Sequence, residues 1–218
     1  MAIDRKIISR SETRLEVFIQ GEGPMVVLLP SLGRGAEDFE PMADVFEAEG
    51  FKVVRPQPRG IGASTSPKPY ADLHDCSNDI VAVIEALGGG PAILVGHAFG
   101  NRVSRLLATI RPDLVSGVVL VAANVGHAPS PPIVREAIRN SANTSLPDDV
   151  RLKALSYAFF AEGNDPRPWL KGWFPEVLAA QRIAGDQTAR TEDYASGMAP
   201  VLYMQPVSYT HLTLPTKA

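Results

Sequence analysis

Apolar and polar positions along the chain alternate between two periods. Arg14 to Gln20 reads apolar at every second position (Leu15, Val17, Ile19), and Gly21-Glu22-Gly23-Pro24 then turns the chain, which predicts a strand. Met25 to Leu29 is a short continuous apolar run, the pattern of a strand buried on both faces. Phe39, Met42, Ala43 and Phe46 follow at i, i+3, i+4, i+7, one face of a helix closed by Gly50. Phe51 to Val54 then reads as a strand. The same rhythm predicts a helix on Ile80, Val83, Ile84 and Leu87, a buried strand over Ala92 to Val95, a helix on Val103, Leu106, Leu107 and Ile110, and a strand over Val115 to Ala123. Strands alternating with helices imply a mostly parallel sheet covered on both faces.

The rhythm breaks after residue 125. Gly126 to Ala199 holds helical patterning and no convincing strand, and Pro200 to Gln205 returns to strand character. The predicted organisation is a core over residues 1–125, a helical lid over 126–199 and a return strand over 200–205.

Composition narrows the reading only slightly. The chain has 218 residues, suited to one core, with 45% hydrophobic and 21% charged residues and a net charge of −3. That balance argues against nucleic acid or an anionic membrane surface as partner. No apolar run is long enough to span a bilayer, and the N-terminus lacks the apolar stretch of a secretory signal, so a cytoplasmic location is expected. The lone Cys76 is read as a reduced, packed side chain. The scattered histidines show no metal-ligand spacing, and neither metal nor cofactor is expected.

The most informative segment is Leu94-Val95-Gly96-His97-Ala98-Phe99-Gly100-Asn101, a strand running directly into a helix. Glycines two residues either side of Ala98 fit a bend that forces its central residue towards positive φ and crowds both neighbours. Such a turn lifts the central side chain clear of the sheet, at the N-terminal end of a helix where negative charge is favoured. The segment resembles the elbow of the α/β-hydrolase family, Gly-x-Ser-x-Gly, from which it departs by carrying Ala98 at the nucleophile position. Two further motifs carry the resemblance. Leu28-Leu29-Pro30-Ser31-Leu32-Gly33-Arg34-Gly35 resembles the family's strand-to-helix oxyanion loop, with Pro30-Ser31 in place of His-Gly. Arg59-Gly60-Ile61-Gly62-Ala63-Ser64 resembles its Arg-Gly-x-Gly-x-Ser turn. The resemblance spans roughly Leu15 to Gln205.

The resemblance implies an α/β-hydrolase fold with a helical lid, and an oxyanion hole made by the backbone N–H groups of Leu32 and Phe99. Ala98 leaves those donors in place and removes the attacking atom, so no acyl-enzyme can form. Ala98 is therefore expected to be inactive as a nucleophile. It fits loss of hydrolysis with a retained pocket, chemistry without a covalent intermediate, or a deliberate change that traps substrate. Trp169, Trp173 and Phe174 concentrate aromatic mass in the lid and are the candidate pocket lining; Trp169 and Trp173, four apart, could share a helical face. Packing roles are expected for His97, Ser64 and Ser104, and a surface loop for His74. Glu37 and Asp38 read as favourable charges at a helix start. His127 follows a strand end and could look into the pocket, without an identifiable partner, and Asn124 stands where the resemblance places the acid in some family members, a role Asn cannot fill.

The C-terminus reads differently. Val207 to Thr216 back-translates as GTC TCT TAT ACA CAT CTG ACG CTG CCG ACG, a transposase-type sequencing adapter in one frame, with both flanking codons compatible. Residues 206–218 are accordingly read as an adapter-derived tail, and the fold is expected to lack its last strand and helix. On that reading the family's acid and catalytic His would lie beyond Gln205, and His211 is no substitute. The resemblance implies a parent family acting on small apolar esters or related compounds. The expected partner is a small-molecule ligand or substrate, bound with an altered or absent hydrolytic step. The alternatives are a ligand-binding or signalling module without turnover, and a non-covalent lyase or cofactor-free oxygenase.

Overall fold

A computed structural model describes residues 3–123 and 131–204. Its centre is a seven-stranded sheet: β1 (Asp4–Arg10), β2 (Thr13–Gln20), β3 (Met25–Leu29), β4 (Lys52–Pro56), β5 (Ala92–His97), β6 (Val115–Val121) and β7 (Val201–Met204). The spatial order is β1-β2-β4-β3-β5-β6-β7. Strands β3 to β7 run parallel, and β1 and β2 form an antiparallel hairpin on one edge. The predicted mostly parallel sheet is therefore present, with one strand more than the sequence pattern revealed. Only Ile8 of β1 is buried, so that strand has no alternating apolar signal to read. Observed boundaries also move by one or two residues: β4 runs on to Pro56, and β6 ends at Val121 rather than Ala123.

The burial of β3 explains its unbroken apolar run. Val26 and Leu28 face one side with Phe39, Ala43 and Val53, under helix α1 (Glu40–Ala48). Val27 and Leu29 face the other, with Leu94, Ile84, Val103 and Leu107, under α2 (Leu73–Ala86) and α3 (Phe99–Ile110). Period-two alternation thus feeds two cores from one strand.

The insertion is helical where it is described: α4 (Pro132–Ala142), α5 (Asp148–Phe159), a 3-10 turn over Arg167–Leu170, and α6 (Pro175–Gln187). It has a small core of its own around Leu155, Ala142 and Trp173. Residues 188–199 return along the sheet-side helices: Leu73 N–H donates to Thr188 Oγ1 at 2.8 Å, and Arg102 pairs with Asp193. No helix among the described residues is long and apolar enough to cross a membrane.

Candidate functional site

The crossover after β3 runs to β4 and the one after β5 runs to β6, in opposite directions across the sheet, so the loops after β3 and β5 diverge around a crevice at the carboxyl end of the sheet, where open α/β folds place ligands. Ala98 occupies the bend between β5 and α3 with φ 49° and ψ −101°. This is a conformation that side-chain-bearing residues seldom adopt. The bend is tied to β6, because Ala98 N–H donates to Val121 O at 3.0 Å and Asn101 Nδ2 to the same oxygen at 2.9 Å. Both glycines answer to the predicted crowding. A Cβ on Gly96 would lie 2.5 Å from Gly100 C, and one on Gly100 would lie 2.3 Å from Leu29 O.

The loop after β3 faces this bend. Ser31, Leu32, Ala98, Phe99 and Ala122 border a common cavity of about 590 Å³. Its roof includes Ile138 of α4, Phe159 of α5, Trp173 and Leu178. Among the described residues, none accepts a hydrogen bond from the backbone N–H of Leu32 or Phe99. Two backbone donors without an acceptor among the described residues thus meet one cavity, beside the methyl group of Ala98. The loop itself is held from above: Gly33 N–H donates to Gln181 Oε1 at 2.8 Å, and Phe174 N–H donates to Gly33 O at 2.9 Å. The guanidinium of Arg34 lies 4.8 Å from the ring centres of both Trp169 and Trp173, and pairs with Asp38. These contacts fasten the lid to the loop that carries Leu32.

The three candidate aromatics separate in space. Trp173 borders the Ala98 cavity; Trp169 and Phe174 are not among its described lining. Phe174 lines a different cavity, of about 570 Å³, beside Arg59 and Tyr70. Trp169 stacks behind, 5.3 Å from Phe159 and 5.6 Å from Phe160 between ring centres. Nor do the two tryptophans share a helix. Trp169 sits in the 3-10 turn and Trp173 in the segment before α6, and they meet through Trp173 Nε1–H donating to Trp169 O at 2.7 Å.

Other expectations resolve residue by residue. Ser64 Oγ accepts from Glu16 N–H and donates to Gln57 O, both at 2.9 Å, and Ser104 Oγ donates to Gly100 O at 2.9 Å; both hydroxyls brace backbone. Burial raises the Cys76 thiol far above its ordinary range, which suits an unreactive side chain. His74 is not in a loop. It falls in the first turn of α2, capped by Asp72, with its Nε2 2.8 Å from Glu192. Asp38 and Glu37 precede α1 in a 3-10 turn and bond Arg34 and Gln57. Asn124, His127, His211 and the 206–218 tail lie outside the described residues. The sequence reading missed the cationic character of the cavity, whose lining includes Arg102, Arg105, Arg135, Arg139, Arg182 and Arg190. Arginines three apart on α3, directly below the elbow, were the available signal.

His97 packs edge-on to Trp169, with ring centres 6.2 Å apart. Burial lowers its pKa; Asp38 opposes this and Arg34 adds to it. The folded state therefore favours neutral imidazole. Its contribution to stability is present above the usual histidine value of about 6.5 and is lost as pH falls through the lowered value. Thermal melts from pH 8 to pH 5 should show an acid-side loss that is smaller in His97→Phe; identical profiles would contradict it.

Comparison with known proteins places these features. The family described as alpha/beta hydrolase fold matches residues 24–155. The chain is 34% identical over 107 residues, 49% of its length, to 2-(acetamidomethylene)succinate hydrolase of Mesorhizobium japonicum. It is 28% identical over 114 residues, 51% of its length, to an epoxide hydrolase of Caballeronia sordidicola. Those matches span 38% and 34% of the relatives' own lengths. Among solved structures, an epoxide hydrolase from Vigna radiata superposes with TM-score 0.68 at 19% identity, covering 93% of this chain and 80% of that one.

Proposed function

The chain belongs to the α/β-hydrolase fold family, and from that premise we propose that it holds a small acyl compound in the cavity above Ala98 without hydrolysing it covalently. In this reading the ligand's carbonyl oxygen sits against the backbone N–H groups of Leu32 and Phe99. The observation that carries it is that, among the described residues, neither donor meets an acceptor where both border one cavity. The relatives' hydrolase names supply the class of ligand, a compound with an electrophilic carbon, and Ala98 removes the covalent step. Trp173 and Leu178 close the cavity from the lid side.

The proposal predicts no turnover of p-nitrophenyl acetate or butyrate above the buffer rate. It predicts the same for Ala98→Ser, because no histidine borders the cavity among the described residues to take up the serine proton. A rate gain of about a thousandfold in Ala98→Ser, the scale of a working base, would refute it. Calorimetric titration with small esters provides the positive arm, with Ala98→Phe expected to obstruct the part of the cavity beside Leu32 and Phe99 and weaken binding.

A further inference from the structure

We propose that the ligand of this cavity carries a carboxylate, received at the end of the cavity remote from Ala98 by Arg105 and the arginines around it; this rests on the reading of the cavity as a small-molecule site. Six arginines line the cavity, and Asp186 is the one acidic residue among its described lining. Arg135, Arg139, Arg182 and Arg190 are exposed on or beside α4 and α6 and would, alone, be ordinary solvated helix faces. Arg102 and Arg105, on the buried side of the cavity, are a different matter.

Arg102 has its counter-charge in Asp193 and also donates to Gly185 O at 2.9 Å. Arg105 is only 4% exposed. Its Nε donates to Asn101 O at 3.3 Å, and Tyr194 lies under its guanidinium at 5.9 Å. Neither of its Nη nitrogens has a hydrogen-bond partner among the described residues, although the side chain borders the cavity. The buried carboxylate of Asp193 thus stands against the guanidiniums of Arg102, 13% exposed, and Arg105, 4% exposed. The Nη nitrogens of Arg105 keep contact with the solvent of the cavity, and a carboxylate entering it replaces that solvent and matches the fork with two oxygens. Exposed arginines at the mouth add an attractive field for an incoming anion.

The cavity also sets where the charge must sit. Ala98, Phe99, Arg102 and Arg105 descend one side of α3, and the helical rise places the last two about 6 and about 10 Å below Ala98 along the axis. The two backbone donors thus sit at the head of α3, and Arg102 and Arg105 one and two turns along it. A half-ester of a short dicarboxylic acid spans both groups, whereas a neutral ester satisfies only the first.

The test is calorimetric titration of the full chain with the monomethyl and dimethyl esters of succinate, glutarate and adipate. At least one monoester is expected to bind about tenfold more tightly than its diester. Arg105→Gln should erase that preference, Arg105→Lys should restore part of it, and added salt should weaken monoester binding selectively. Arg139→Gln/Arg182→Gln, at exposed positions where folding is not at stake, should lower the preference more modestly. Equal binding of monoesters and diesters overturns the carboxylate proposal and leaves the cavity reading intact. So does a preference unchanged in Arg105→Lys and in the exposed double variant, should Arg105→Gln fail to fold. Binding of no ester, or binding unaffected by Ala98→Phe, removes the cavity reading itself.

Discussion

Gly100→Ala is expected to destabilise the protein by about 3 kcal/mol, the upper end of overpacking effects, and to abolish binding in the cavity above Ala98. The added Cβ would lie 2.3 Å from Leu29 O, 2.9 Å from Leu29 C and 3.0 Å from Leu29 Cβ. None of these is the tip of a flexible side chain. Leu29 ends β3, which pairs with β4 on one side and β5 on the other, so it cannot retreat without breaking a central ladder. Nor can α3 lift away freely, because its first turn is tied to β6 by Ala98 N–H and Asn101 Nδ2, which both donate to Val121 O. The control is Gly163→Ala in the lid, where φ is +85° and nothing lies within 4 Å of the new Cβ. That change should cost only the backbone strain, about 1 kcal/mol. Denaturant titration of both variants separates close packing from φ preference; equal losses would show that the elbow is not sterically closed.

Asp79→Ala should cost about 3 to 5 kcal/mol, because it strands the Arg59 guanidinium in the interior. Arg59 Nε and Nη2 donate to the two oxygens of Asp79 at 2.7 and 2.8 Å, with the side chains 8% and 3% exposed. Tyr70 stacks against the cation at 4.7 Å, and its hydroxyl accepts from Arg59 N–H at 2.9 Å. The pair joins α2 to the turn after β4, which is closed by Gly60 N–H donating to Ser64 O at 2.9 Å. Losing one partner should therefore loosen that turn as well as leave a charge unpaired. Arg59→Met/Asp79→Leu removes both charges and should recover most of the loss, since burying an ion pair gains little over apolar packing of similar volume. Chemical unfolding of the single and double variants measures this. A double variant as unstable as Asp79→Ala would mean that the hydrogen-bond geometry, rather than the stranded charge, holds the turn.

Local chemistry made much of the fold legible in the sequence. Hydrophobic period identified β2 to β6 and the first three helices, because burial on one face or both leaves a regular trace in a linear string; β7 was read from its apolar composition although its side chains are largely exposed. The elbow was legible for a stronger reason. A bend at φ 49° between two close-packed backbones admits only glycine at Gly96 and Gly100, so its geometry is written in residue types. Strand β1 left no trace, since its side chains are largely exposed and its hydrogen bonds belong to backbone common to every sequence.

The candidate site divides along the same line. Ala98, Leu32 and Phe99 could be placed from motifs because backbone turns position them. Trp169, Trp173 and Phe174 could not be assigned to one wall, because a 3-10 turn and the irregular segment after it point their side chains wherever tertiary packing sends them. The arginines lay furthest from sequence reading. Arg102 and Arg105 come from α3, Arg135 and Arg139 from α4, and Arg182 from α6, and only the folding of the lid over the sheet brings them to one cavity. Sequence alone determined the bend between β5 and α3 and the methyl side chain of Ala98 at its centre. The tertiary structure decided which charges surround that elbow, because charge on a side chain is local whereas the neighbours that leave it unpaired are set by the whole fold.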